Sequence, residues 1–146
     1  SCDLILACEN ATFALPEIRS GTVADAASIK LPKRIPYHTA MDLLLTGRWF
    51  DVNEAKQLGI IKEIVKFSDL RKNAWDLARL LENGPPLVYA AIKEIVREAE
   101  DMKFHDALNR ITKRQFSTVD SLYSSEDRIE GAKAFAEKRN PIWKGR

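Results

Sequence analysis

Among the side chains of this 146-residue sequence, Glu17 has the setting best suited to proton transfer. It follows the apolar run from Leu4 to Phe13 and stands directly behind Pro16, so a rigid connection at the end of a strand can hold its carboxyl partly out of water. A carboxyl held in that way can take up and give back protons. Asp25, a little further on, offers a second carboxylate. Read by its local chemistry alone, Glu17 fits a solvated loop carboxylate or a helix cap better than a catalytic acid or base. Asp25, followed by Ala26-Ala27-Ser28, reads first as a helix N-cap.

Other constellations that carry chemistry are missing from the sequence. It has no Gly-rich phosphate loop, no CxxC, no HxH or HExxH, and no Ser-centred elbow. His38 and His105 lie far apart without Cys or carboxylate clusters around them, which gives a metal site or a His-dependent nucleophile little support; each reads as a surface or helix-end residue. Cys2 and Cys8 are evenly spaced in an apparent strand and read as buried thiols rather than as a disulfide or a metal pair. Basic residues in Lys30-Leu31-Pro32-Lys33-Arg34, and from Lys138-Arg139 to Lys144-Gly145-Arg146, can meet phosphates or form solvated edges. Trp143 reads as packing the tail down.

These groups sit on an ordinary globular chain. Apolar residues make up 45% and charged residues 30%, enough for one domain or two small units with a real core. The 23 basic and 21 acidic residues leave a net charge of +2, which gives no field to draw the surface onto nucleic acid or a membrane. No apolar run approaches the roughly 18 residues needed to span a bilayer, so a cytoplasmic protein is expected. The sequence opens at once on an apolar segment with no turn or polar lead-in, as if cut from a longer chain.

The elements that must position Glu17 read as follows. Leu4 to Phe13 suits one buried strand ending near Pro16, with Glu17 on the connection behind it. Lys30 to Pro36 reads as a basic, Pro-punctuated turn. Pro36 opens a helix with Ala40, Met41, Leu44 and Leu45 on its inner face, closed by Gly47. Asp51-Val52-Asn53-Glu54 has capping-box spacing for a short helix ending at Gly59, and Ile60 to Val65 reads as a strand. Beyond it the pattern is helical throughout. One helix is capped by Ser68, with Leu70, Ala74, Leu77, Ala78 and Leu81 inward. A second starts at Pro85-Pro86, a third runs from Phe104 to Val119, and a fourth is capped by Ser124 or Ser125 and carries Ile129, Ala132 and Phe135.

Several segments occur in an order that is informative as a set. They are Cys2-Asp3-Leu4-Ile5, Ala14-Leu15-Pro16-Glu17-Ile18, Gly21, Arg34, Leu45-Thr46-Gly47-Arg48, Glu54-Ala55-Lys56, Leu58-Gly59-Ile60-Ile61 and Ala91-Ile92-Lys93-Glu94, then Ser125-Glu126-Asp127, Glu130-Gly131 and Ala134 to Arg139. In order and spacing they resemble the crotonase superfamily, the enoyl-CoA hydratases and isomerases, over essentially the whole chain. The ending Asn140-Pro141-Ile142-Trp143-Lys144-Gly145-Arg146 is most similar to that of carnitinyl-CoA (crotonobetainyl-CoA) dehydratases.

The resemblance implies an α/β fold. Residues 1–66 would be the C-terminal part of a crotonase-type ββα spiral, and residues 67–146 an all-helical oligomerisation region supporting trimers or hexamers. It implies an acyl-CoA thioester substrate, with coenzyme A entering as part of the substrate, no separate cofactor and no metal. Glu17 matches the hydratase glutamate that exchanges a proton with the substrate. Asp25 matches the second working carboxylate of dienoyl-CoA isomerases, and Lys138 a tail lysine near the nucleotide end of CoA. The glutamate partnering Glu17, both oxyanion amides and much of the CoA surface are expected upstream of Cys2, so the chain alone is expected to lack turnover. Ala27-Ser28 stand where the family has a Gly-Gly pair. The resulting expectation is the C-terminal part of an enoyl-CoA hydratase or dehydratase, with a dienoyl-CoA or enoyl-CoA isomerase, or a non-catalytic helical oligomerisation fragment, as alternatives.

Overall fold

A computed structural model describes residues 2–146. It divides into two compact units, one ending at Leu77 and the other beginning at Ala78.

In the first unit the apolar opening run is not one strand. It forms β1 (Leu6–Cys8), a turn at Glu9-Asn10 closed by the Ala11 N–H on the Cys8 carbonyl at 2.9 Å, and β2 (Thr12–Phe13). Polar Glu9 and Asn10 favour a turn in which local bonds compete with a ladder, which the Leu- and Ala-rich pattern had masked. Both thiols are free, but Cys2 lies outside the strand and is exposed and Cys8 is only half-buried, so the burial expected of them is not found.

The connection carrying Glu17 is a 3-10 turn, Pro16–Ser20. Helix α1 (Asp25–Arg34) follows and contains Pro32, so the basic segment taken for a turn is the end of a helix. Pro32 removes only its own amide from the ladder, and the Ile35 N–H still closes the last turn on the Leu31 carbonyl at 3.1 Å. The N-cap is Ala24, without a side-chain bond. Asp25 is the first helical residue and is not the cap its neighbours suggested.

Helix α2 (Tyr37–Thr46) has Pro36 as N-cap and closes on Gly47 in the left-handed conformation. Its buried residues are Ala40 and Leu43, while Leu45 is 63% exposed, so the inward face is turned from the expected stripe. Strand β3 (Phe50–Asp51) leads into α3 (Val52–Gln57), and β4 (Glu63–Val65) is shorter than the expected strand. β4 pairs parallel with β1, Ala7 opposite Ile64, and β3 pairs antiparallel with β2, Phe13 opposite Phe50. The core gathers Ala7, Ile35, Ala40, Leu43, Phe50, Val52, Ala55 and Ile61.

Helix α4 (Leu70–Glu82) is preceded by a 3-10 turn at Phe67–Asp69, and it buries none of its residues; Leu81 is 41% exposed. Ser68 therefore sits inside that turn and does not cap the helix. In the second unit α5 (Pro86–Glu98) starts where the proline pair predicts. The expected third helix is two: α6 (Phe104–Thr112) and α7 (Ser117–Tyr123). Arg114 adopts a left-handed φ of 52° between them, and the Arg114 and Gln115 amides close α6 on the Ile111 and Arg110 carbonyls. The break turns Phe116 inward to 1% exposure beside Ala91 and Val119.

Helix α8 (Glu126–Ala136) is capped by Ser125, whose hydroxyl accepts the Arg128 N–H at 3.1 Å. Its buried residues are Asp127 and Ala134; Ile129 and Phe135 are 68% and 88% exposed, the reverse of the expected inner stripe. Trp143 packs its ring against Gly131, as expected of a residue that ties down the tail.

Candidate functional site

Pro at the first position sets the φ for the turn Pro16–Ser20, and Gly21 in the left-handed conformation closes it on the Glu17 and Ile18 carbonyls. The Glu17 carbonyl also accepts the Thr22 N–H at 3.1 Å and the Thr22 hydroxyl at 3.2 Å. The backbone beneath the carboxyl is therefore tied from one side. Glu17 itself is half-buried. Its Oε2 is enclosed without a hydrogen-bond partner, the one such side-chain atom among the described residues. Leaving a buried acceptor unpaired costs about 1–3 kcal/mol, so such an atom calls for an explanation, and a waiting proton-transfer group supplies one.

The turn is held from two further directions. Just ahead of it, Phe13 is opposite Phe50 across the β2–β3 pair, and their rings stack with centroids 5.5 Å apart. Beneath it lies Gly47, buried at the end of α2, where a Cβ would stand 3.2 Å from the Leu15 carbonyl oxygen and 3.4 Å from the Pro16 Cα. Next to Gly47, the Arg48 guanidinium forks onto Glu54 and donates Nε to Asp42 Oδ2 at 2.6 Å. That pairing lowers the Glu54 pKa and raises that of Arg48, the side-chain bonds being the main cause. It also leaves the expected capping box half made. Asp51 Oδ1 accepts the Glu54 N–H at 2.8 Å, while the Glu54 carboxylate goes to Arg48.

Asp25 is exposed, with φ +22°, on the element after the Glu17 turn. Ala27 and Ser28 lie in the first turn of its helix, both amides donating to the Ala24 carbonyl. Lys138 belongs to the second unit. It is exposed, with a left-handed φ of 54°, in the turn that ends α8, where its amide meets the Phe135 carbonyl and the Arg139 amide the Ala134 carbonyl. Arg139 forks onto Glu130, which also accepts the Ile142 N–H at 2.9 Å; Asp127 accepts the Lys144 and Gly145 amides. The tail behind Lys138 is thereby strapped along α8.

His38 and His105 are both exposed, and no cluster of potential metal ligands occurs among the described residues. An open depression of about 690 Å³ is lined by His38, Asp42, Arg48 and Glu54 among others; Glu17 and Asp25 are not part of its wall. The residues that reading by type passed over are Gly47 and the Arg48 clamp. Gly47 was legible only as a helix end and Glu54 only as part of a capping box; what linked them to the site was their place in the ordered segments Leu45-Thr46-Gly47-Arg48 and Glu54-Ala55-Lys56.

The enoyl-CoA hydratase/isomerase family profile matches residues 1–146. The chain belongs to this family. The crotonase resemblance is thus confirmed, together with the fold class it implied. The chain is 41% identical over 145 residues to a carnitinyl-CoA dehydratase from Citrobacter koseri, covering 99% of this chain and 56% of that relative. An enoyl-CoA hydratase subunit from Geobacillus kaustophilus superposes with a TM-score of 0.90 at 35% identity, covering 99% of this chain and 55% of that one. An enoyl-CoA hydratase from Mycobacterium tuberculosis superposes with a TM-score of 0.86 at 33% identity, over 99% and 56%. The chain spans about half the length of the enoyl-CoA hydratase/isomerase relatives it matches. No helix among the described residues is long and apolar enough to cross a membrane.

Proposed function

We propose that the chain is the C-terminal portion of an acyl-CoA hydratase or dehydratase, in which Glu17 exchanges a proton with the acyl chain of a CoA thioester. The observation carrying this reading is the buried, unpartnered Glu17 Oε2 on a turn fastened from three sides. A carboxyl so fixed can deliver a proton beside the thioester as water adds across the double bond, and recover it in the reverse direction. The negative charge that passes onto the thioester oxygen needs fixed donors, which this reading places in the residues upstream. The name of the Citrobacter koseri relative supports the dehydratase direction.

Asp25 serves as a second carboxylate at the site, its exposed position at the start of α1 being open to substrate. Lys138, presented by the strapped turn, meets the nucleotide end of CoA. The protein works in the cytoplasm as a trimer or hexamer, a state supported by the exposed Ile92, Val96, Ile129 and Phe135 on the helical unit.

The test uses a polypeptide that includes the upstream residues, given crotonyl-CoA in ¹⁸O water. Expected are loss of the conjugated thioester absorbance and ¹⁸O in the product, with Glu17→Gln lowering kcat about 10²- to 10⁴-fold. Unchanged turnover in Glu17→Gln would sink the assignment. Double-bond movement in a dienoyl-CoA without ¹⁸O uptake would identify an isomerase instead.

A further inference from the structure

Position 47 can hold no side chain without disturbing the residues on either side of Glu17. A Cβ built on Gly47 would lie 2.8 Å from Ile18 Cγ2, closer than real Cβ atoms approach, in addition to its close approaches to the Leu15 carbonyl and the Pro16 Cα. None of these atoms can easily yield. The Ile18 methyl branches directly from Cβ, where χ1 is stiff, and the other two are backbone atoms at the cap and the first residue of a turn whose opening φ Pro16 fixes.

Retreat by Gly47 is equally restricted. It closes α2 through its N–H on the Leu43 carbonyl at 3.1 Å, beneath a fully buried Leu43. Its neighbour Arg48 is tied back to Asp42 in α2 and forward to Glu54 in α3. Two residues beyond Arg48, Phe50 is in register with Phe13. A side chain at 47 must therefore displace the turn, and Glu17 moves with it.

We infer that Gly47 is a positioning residue for Glu17: its missing side chain sets where the turn, and with it the carboxyl, comes to rest. The inference rests on Glu17 being the proton-transfer group. It also goes beyond the usual need for glycine at a left-handed helix end, and the chain contains its own control. Gly59 has φ +73°, close to the +57° of Gly47, yet a Cβ there would meet nothing within 4 Å. Alanine at either position suffers the left-handed strain; alanine at 47 alone pushes the turn.

The experiment compares Gly47→Ala, Gly59→Ala, Glu17→Gln, Gly47→Ala with Ile18→Ala, and Gly47→Ala with Glu17→Gln, all in the polypeptide that includes the upstream residues. Gly47→Ala should lose about a hundredfold in kcat with KM unchanged, the loss typical of a catalytic group misplaced by an ångström. Gly59→Ala should lose thermal stability but keep kcat. Removing the Ile18 branch should restore part of the lost kcat, and Gly47→Ala should add nothing to Glu17→Gln. Equal kcat losses at 47 and 59 overturn the inference, because strain at the helix end then explains both. Should Gly47→Ala not fold, the variant with Ile18→Ala decides: recovery of folding and turnover upholds the steric account, and no recovery overturns it. A silent Glu17→Gln instead removes the proton-transfer reading, an outcome visible separately from the behaviour of Gly47.

Discussion

Arg48 meets Glu54 through two parallel bonds, Nη1 to Oε2 at 2.9 Å and Nη2 to Oε1 at 2.5 Å, while its Nε is taken by Asp42. One planar guanidinium thus joins the end of α2 to the first turn of α3, and Gly47 and the Glu17 turn sit against the α2 end of that join. Lysine offers a point charge and cannot reproduce the fork together with the third bond. Arg48→Lys is expected to lower the thermal midpoint, as is Glu54→Gln, with the double variant losing less than the sum. Both partners are about one third exposed, so the loss should be modest and should shrink in high salt. A loss that salt leaves untouched would speak against the clamp as its cause.

Glu130 provides a pH-dependent tie. The Arg139 guanidinium, and after it the Ile142 N–H, hold its carboxyl down to about 2. A carboxylate whose folded pKa is depressed adds stability above its unfolded value, near 4.3, and loses it as pH falls toward the folded value. Urea unfolding from pH 6 down to pH 2.5 should therefore show a falling midpoint over the acid part of that range, with a smaller fall in Glu130→Gln. Parallel curves for the two proteins would refute the tie.

Asp127 is 3% exposed and takes the Lys144 and Gly145 amides at 2.8 and 2.9 Å, while its own N–H meets the Arg146 carbonyl. Asp127→Ala gives those amides over to water and removes two hydrogen bonds to a carboxylate, at a cost of about 1.5–3 kcal/mol. Hydrogen exchange at Lys144 and Gly145 should quicken, and the tail should become open to carboxypeptidase. Unaltered exchange there would show that the strap is held by other groups.

Leu43 and Leu45 give a direct measure of which way α2 faces. Leu43 is fully buried and Leu45 is 63% exposed. Leu43→Ala should cost about 2–5 kcal/mol, and Leu45→Ala no more than about 0.5 kcal/mol. Comparable losses, read by denaturant unfolding, would mean that the helix is rotated from the orientation described.

What could be read from the sequence was local or patterned along the chain. Gly47 ending α2, Asp51 accepting the Glu54 amide, Pro86 opening α5 and Ser125 capping α8 are each fixed by side chains within a turn of the residues they serve, so residue type and spacing suffice. The ordered family segments, too, are a property of the linear chain, and they singled out Glu17 where local chemistry favoured a loop carboxylate. The misses were decided by partners distant in sequence. The expected strand divides at the Glu9-Asn10 turn, and its halves take different partners far along the chain, β4 for β1 and β3 for β2. The expected third helix breaks because Phe116 reaches the core of its unit, and because Glu94 from α5 accepts the Thr118 N–H at 2.8 Å and caps α7 from outside. Helical periodicity shows which residues share a stripe, but not whether anything covers it, as the exposed Ile129 and Phe135 demonstrate. The sequence by itself determined the family and several of the helix ends, and its ordered segments marked out Glu17. Tertiary structure alone decided what lies beneath the Glu17 turn, because Ile18 and Gly47 belong to separate segments, neither of which encodes their approach in isolation.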